Sequence, residues 1–350
     1  MRPQPILGPD DSIGEGDSRL VLNLLPDELR EGIFERLREE VAWETMYHRG
    51  GEVPRLVAVQ GRIEEDGSFP VYRHPSDQSP ALRPFTRTVD LIRRHAEAEI
   101  GHPLNHALIQ LYREGKDYIS EHSDKTIDIT RGTSIANVSF GARRLMILRR
   151  KKDSTQKSKE TDKQAQLDQT AQTDLQAQVL DSTSVDDFSS PRPSPGPPRE
   201  SQRIALPDNS MLVMGLRTNA AWLHAIHRDN RPDKAKLPEE TGERISLTFR
   251  CIGTFLIADS TVSTADSNVS TADSTVHTAD STALAANGMR IFGQGATGKI
   301  RERARPVIFA GGEAEELLAA FGKENHESDF DWEASYGKGF DVLHFSAKRG

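Results

Sequence analysis

Apolar residues change their spacing along this chain, and each change marks a different kind of element. Residues 1–19 carry no sustained apolar period and read as a flexible tail. Pro26-Asp27-Glu28 then suits the first turn of a helix, and Leu29, Ile33, Phe34, Leu37 and Val41 recur at helical spacing, which predicts a helix through about residue 47. A short strand is expected over 55–60, a Pro-rich loop over 67–84, and a second amphipathic helix over 85–100 with Val89, Ile92, Ala96 and Ile100 inward. From residue 107 the texture becomes strand-like, with runs at 107–113, 134–141, 143–150, 203–206, 211–215, 222–226 and 245–252. Gly141-Ala142 reads as a hairpin turn between two of them. Many short strands separated by turns predict a mainly β fold with flanking helices, an α+β chain built on a sandwich or jelly roll. Near the end, 312–321 reads as a helix closed by Gly322, and the aromatics of 329–340 are expected to pack on the main domain.

Two stretches break this pattern. Residues 152–202 are rich in Gln, Ser, Thr, Asp and Pro and hold too little apolar surface to order themselves. Residues 258–288 contain a degenerate seven-residue repeat, ADSTVST, ADSNVST, ADSTVHT, ADSTALA, in which a lone Val per early repeat leaves no coiled-coil seam. Both are expected to be disordered, and both offer room for protein partners. The domain plan is therefore a tail over 1–19, a domain over 20–257 interrupted at 152–202, the repeat over 258–288, and a C-terminal extension over 289–350 that packs on the core.

Composition adds limits. The chain has 350 residues, 35% of them hydrophobic, with one cysteine and a net charge of −8; the mean hydropathy is −0.59. Residues 153–200 carry −4 and the four Asp of the repeat another −4, so the rest is near neutral and an anionic partner stays open. The single Cys251 excludes an internal disulfide framework and a Cys-based zinc site. No apolar run approaches membrane-spanning length and the first residues lack a signal core, so a monomeric soluble protein of nucleus and/or cytoplasm, with no membrane partner, is expected.

The chemistry centres on His122-Ser123-Asp124, just past a strand-like run. Positions two apart on an extended backbone point the same way, so an imidazole and a carboxylate can converge as two members of a 2-His-1-carboxylate Fe(II) site. His-x-Asp alone is common in solvated loops. In the 222–226 run either His224 or the nearby His227 offers a third ligand, and His224 is favoured because His227 runs into a turn. The 244–250 run puts Arg244, Ser246, Thr248 and Arg250 on one face and Ile245, Leu247 and Phe249 on the other. Two arginines inside a barrel are costly unless an anion pairs with them, and a dicarboxylate suits bidentate guanidinium recognition. The Gly293 to Ile300 stretch nearly matches a phosphate-binding loop, but it lacks the terminal Ser/Thr and a βαβ setting, so it reads as a Gly-rich loop near the active-site mouth.

These motifs, together with Pro54-Arg55-Leu56, Gly115, Ser139-Phe140-Gly141-Ala142 and Leu247-Thr248-Phe249-Arg250, resemble the AlkB-like Fe(II)/2-oxoglutarate dioxygenases, closest to their eukaryotic nucleic-acid demethylase branch. The resemblance spans roughly 54–253 and implies a double-stranded β-helix, Fe(II), 2-oxoglutarate and O2. It assigns His122, Asp124 and His224 to the metal, and Gln110 and Tyr112 to the 2-oxoglutarate site with Ser246. Arg244 would take the distal carboxylate and Arg250 would lie near the keto-acid end. Hydroxylation of an N-methyl group would then give formaldehyde and a repaired base.

The departures bear on substrate: Gln110 and Ser246 replace the usual Asn residues, Val59-Gln60-Gly61 lacks an aromatic, and Lys125-Thr126 stands where such enzymes carry an acid that reads the base. Arg55, Tyr72, Arg73 and Thr126 are the candidate substrate contacts, and the basic residues 143–144 and 149–152 are candidates for phosphate contacts. The leading expectation is dealkylation of DNA or RNA bases. The alternatives are a protein or small-molecule substrate, or an inactive barrel serving as an adaptor.

Overall fold

The computed structural model describes residues 5–48, 51–75, 80–152, 199–259 and 288–343. The larger of its sheets runs in spatial order Arg19–Leu22, Ser210–Gly215, Ser134–Gly141, Arg244–Arg250, His106–Tyr112, Gly51–Gly61 and Glu44–His48, with Leu82–Pro84 added beside Gly51–Gly61. A second runs Ile6–Leu7, Ser201–Leu206, Arg144–Arg150, Trp222–Ile226 and Ile119–His122.

Strand alternation explains how these sheets are covered. Ala107, Ile109 and Leu111, Ala136, Val138 and Phe140, and Ile245, Leu247 and Phe249 share one core with the helices Ile33–Glu40 and Arg87–Ile100. The opposite face contributes Tyr112, Ile135, Leu212 and Met214 to a second core, met by Met146, Leu148, Ile204, Leu206, Trp222 and Ile226 of the smaller sheet. The expected jelly-roll core with flanking helices is thus present, and the space between its sheets holds both apolar packing and the polar face of Arg244–Arg250.

Several expectations are corrected. The tail expected to be flexible through residue 19 is structured from residue 5: Ile6–Leu7 pairs in parallel with Ser201–Leu206, and Ile13 is fully buried. Apolar spacing missed this because two-residue strands carry no period. The helix expected through about residue 47 is instead Asp27–Arg30, then Ile33–Glu40, then the strand Glu44–His48. Gly32 at φ 66° breaks it, a left-handed conformation that glycine adopts without steric cost. At the other end, Gly322 does not stop its helix, which runs Gly312–His326 because Phe321 and Glu324 are buried on either side of it. A glycine inside a helix costs about 1 kcal/mol relative to alanine, and burial of those neighbours outweighs it.

A third sheet, Arg305–Pro306, Met289–Gly293, Thr254–Ala258 and Phe69–Pro70, was not foreseen. Thr254–Ala258 and Met289–Gly293 pair antiparallel, so the seven-residue repeat connects the two strands of a hairpin. The expectations for residues 153–198 and 260–287 lie outside the described residues.

Arg73 ties this third sheet and the C-terminal segment to the barrel. Its Nε and Nη2 donate to Asp128, Nη2 also to Gly295 O at 2.7 Å, and Nη1 to Phe340 O at 2.6 Å and Val342 O at 3.2 Å. Both side chains of the pair are 0% exposed. The expected substrate role of Arg73 is therefore corrected: all its donors are committed to structure. The Gly-rich loop is explained by the same contact, since a Cβ on Gly295 would stand 2.4 Å from Arg73 Nη2.

Removing one partner of a fully buried pair leaves an uncompensated charge, so Arg73→Ala is expected to cost about 3–5 kcal/mol of stability. Arg19→Ala, which breaks an exposed pair with Glu99, should cost under about 1 kcal/mol. Urea unfolding of both variants checks this, and similar losses for the two would refute the lock.

Candidate metal centre

His122 ends the strand Ile119–His122 and pairs directly across the ladder with His224 of Trp222–Ile226. That cross-strand register puts the two rings 4.2 Å apart by centroid. Asp124, two residues on, brings its Oδ1 to 3.9 Å from Nε2 of each histidine. One donor atom from each of the three lies within 4.8 Å of the others, a grouping able to hold a metal ion. Of the two histidines open in the 222–227 run, His224 is the one brought there.

The donor set is prepared for a cation. His122 Nδ1 lies 2.8 Å from Ser120 O, which fixes that nitrogen as the protonated one and turns Nε2 inward. Burial pushes the His122 imidazole below its ordinary value, and burial together with His122 pushes His224 down to about 3, so both rings are neutral at neutral pH. Burial alone would raise the Asp124 carboxyl. Arg250 and the two imidazoles outweigh it and hold the carboxyl below its usual range. Arg250 donates from Nε at 3.0 Å and Nη2 at 2.7 Å, both to Asp124 Oδ2. One carboxylate oxygen is thus occupied and the other faces the histidines. Two neutral imidazoles and one carboxylate suit Fe(II).

Beside this cluster lies a polar lane. Across the sheet Arg244 stands opposite Tyr112 on one side and Gly141 on the other, and Ser246 opposite Gln110 and Ser139. Arg244 is 1% exposed. Its Nη2 donates to Ser139 Oγ at 2.8 Å, while its Nε and Nη1 have no partner. Burial pushes the guanidinium down to about 10. A buried guanidinium with two unpaired nitrogens is costly alone and is well matched by a carboxylate. Tyr112 Oη donates to Gln110 at 3.2 Å, and Asn137 Nδ2 donates to Ser246 Oγ at 3.1 Å and Thr248 Oγ1 at 2.9 Å. This lane fits 2-oxoglutarate. Arg250 keeps only Nη1 without a partner, its other nitrogens being held by Asp124.

The remaining expected residues divide. Arg55 is buried, donates from Nη1 to Tyr118 O at 2.8 Å and leaves Nε unpaired. Tyr72 packs its ring over Arg250 at 4.1 Å, close to His106 and His74 at 5.8 and 5.7 Å. Thr126 is corrected as a substrate contact: its N–H and hydroxyl both donate to Glu324 Oε1. Among the basic residues considered for phosphate, Arg143, Arg149 and Arg150 pair with Glu239 and Glu240, Glu121, and Glu15. Arg144 donates to the carbonyls of Glu114, Gly115, Asp117 and His227.

Sequence reading missed Asn219. This buried side chain accepts from Asp124 N and donates to Asp124 O, both at 2.9 Å, across 95 positions of chain. No local spacing could mark such a contact. It also missed Asn137, whose strand position did place it on the inner face, and His74 and His106.

A jelly roll that presents two histidines and one carboxylate to a single point, next to an unpaired buried arginine, defines a metal-dependent oxygenase scaffold. The chain belongs to the 2OG-Fe(II) oxygenase superfamily, whose model matches residues 17–250, and is a dioxygenase using Fe(II), 2-oxoglutarate and O2. It is similar to the human DNA oxidative demethylase ALKBH2, at 27% identity over 229 residues, or 63% of this chain and 67% of that protein. It is also similar to the human alpha-ketoglutarate-dependent dioxygenase alkB homolog 3, at 25% identity over 63% of this chain and 60% of that protein. The chain thus spans 60–67% of the length of these relatives. The solved structure of OsALKBH1 aligns with 67% of this chain and 98% of its own, with a TM-score of 0.35 and 16% identity. No helix among the described residues is long and apolar enough to cross a membrane.

Arg244→Met tests the polar lane in two directions. In the absence of 2-oxoglutarate it should raise stability by about 1 kcal/mol or more, since an unpaired buried charge is removed. Ligand at about 100 times its Kd should stabilise the wild type by about 2.7 kcal/mol and the variant not at all. Thermal unfolding with and without 2-oxoglutarate reads both effects. Equal ligand stabilisation of the two proteins would remove Arg244 from the binding site.

Proposed function

We propose that this dioxygenase removes alkyl groups oxidatively from N-alkylated bases in DNA or RNA, with iron held by His122, Asp124 and His224 and the distal carboxylate of 2-oxoglutarate held by Arg244. Gln110, Tyr112 and Ser246 line the same lane. Iron(II), 2-oxoglutarate and O2 together supply oxidation of a substrate C–H bond, and an N-methyl group so hydroxylated leaves as formaldehyde. The chain's own residues set the conditions. Arg250 occupies Asp124 Oδ2 and leaves Oδ1 for the metal. Ser120 O sets the His122 tautomer. Burial keeps both imidazoles neutral and able to bind metal.

The observation that carries the nucleic-acid reading is the ring group of Tyr72, His74 and His106, beside the Asp124–Arg250 pair through the contact of Tyr72 with Arg250. A base acted on by such an enzyme must leave its stack, and aromatic rings are the general means of receiving it. The similarity to the DNA oxidative demethylase ALKBH2 of human and cattle supports the same reading. Lys125 and Thr126 carry no carboxylate to read a base, and both side chains are committed to the C-terminal helix, Lys125 to Asn325 and Thr126 to Glu324.

Succinate formation and formaldehyde release, measured with a panel of N-methylated DNA and RNA oligonucleotides, test the reading. Turnover should require Fe(II), rise with one class of methylated oligonucleotide, fall to background in His122→Ala, and fall about fivefold or more in Tyr72→Ala, since base stacking is worth about 1–3 kcal/mol. Succinate formation without any oligonucleotide response would move the substrate to a protein or small molecule. No turnover by iron-loaded protein would favour an adaptor.

A further inference from the structure

The loop that carries Asp124 has an unusual support. Four consecutive backbone N–H groups, from Ser123 to Thr126, each donate to a side chain. Ser123 N donates to Asn325 Oδ1 at 3.0 Å, Asp124 N to Asn219 Oδ1 at 2.9 Å, Lys125 N to Tyr72 Oη at 3.0 Å and Thr126 N to Glu324 Oε1 at 2.9 Å. Two of the four acceptors, Glu324 and Asn325, sit in the last turn of the Gly312–His326 helix, beyond the 17–250 span of the family match.

The same helix end is itself pinned. Tyr336 Oη donates to Glu324 Oε2 at 2.7 Å, and Lys151 Nζ to Glu324 O at 2.6 Å. Lys125 Nζ donates to Asn325 Oδ1 at 3.2 Å, and Trp332 Nε1 to Thr126 O at 3.3 Å. Glu324 is 3% exposed, and its carboxylate oxygens accept from Thr126 of the loop and from Tyr336 of the segment behind it. Burying a carboxylate this deeply is costly unless hydrogen bonds satisfy both oxygens, and those from Thr126 and Tyr336 do so.

We propose that Glu324 and Asn325 are positioning residues of the metal centre: through the 123–126 amides they fix the loop so that Asp124 Oδ1 meets the two histidines. The C-terminal segment is then part of the active centre and not an appendage. This rests on the metal assignment proposed above.

The test is Co(II) titration of the full chain, followed by the d–d absorption of the bound ion. Groups that orient metal ligands from behind change affinity by about 10–100-fold when removed. Asn325→Ala should weaken Co(II) binding about tenfold or more and alter the band. Asn325→Asp, which keeps an acceptor for Ser123 N, should restore most of the affinity, as should Glu324→Gln, which keeps Oε1, when compared with Glu324→Ala. Circular dichroism confirms folding, and if Glu324→Ala does not fold, the half-buried Asn325 site decides. Folded Asn325→Ala with wild-type Co(II) affinity and spectrum overturns the proposal and leaves the metal assignment standing. A wild-type protein that binds no Co(II) overturns both.

Discussion

The division of labour between the two oxygens of Asp124 is the constraint on which the site depends. A buried carboxylate between two imidazoles presents one oxygen to a cation in a defined direction when its second oxygen is held elsewhere. Arg250 holds it with two nitrogens. Arg250 in turn is placed by register, opposite His106 on the neighbouring strand. The polar side of Arg244–Arg250 therefore reads, from one end to the other, as a guanidinium awaiting an anion, two small hydroxyl residues, and a guanidinium already paired. A one-residue slip of that strand would turn Ile245, Leu247 and Phe249 inward and both arginines into the helix-covered core. The apolar packing against the helices thus specifies the chemistry on the opposite face.

That dependence also explains which parts were legible in the sequence. Alternation over Arg244–Arg250 and the spacing of His122 and Asp124 are local patterns, and local patterns fixed the inner face and two ligands. The choice between His224 and His227 needed only the distinction between a strand and a turn, and the cross-strand pairing with His122 agrees. The third sheet was not legible, because its strands are short and one hairpin is split by the repeat. The first helix was misjudged because an apolar period continued across Gly32, where the backbone cannot remain helical.

The misassigned substrate residues share one cause. Arg73 and Thr126 were judged by type and by nearness in sequence to the site. In the fold each is satisfied from elsewhere in the chain: Thr126 by Glu324, at a separation of 198, and Arg73 by Asp128, at 55, together with Gly295 O and Phe340 O, at 222 and 267. A polar residue near a reactive centre is a recognition group only if its hydrogen-bonding capacity is unspent, and sequence does not show what spends it. Arg244 is the contrary case. It too was judged by type, but two of its nitrogens remain unpaired in a buried setting.

Unspent capacity gives a physical criterion for the rest of the site. Loops beside metal ligands need their amides satisfied, and strand ladders normally do this. Past the end of Ile119–His122 no ladder continues, so the 123–126 amides turn to four side chains drawn from three parts of the chain. Each such bond fixes one backbone group but depends on the segment that supplies the acceptor being in place. Asp124 therefore reaches its working geometry only when the barrel, the Tyr72 strand region and the C-terminal helix have all docked. The geometry of the metal centre is thus tied to packing well outside the strands that carry its ligands.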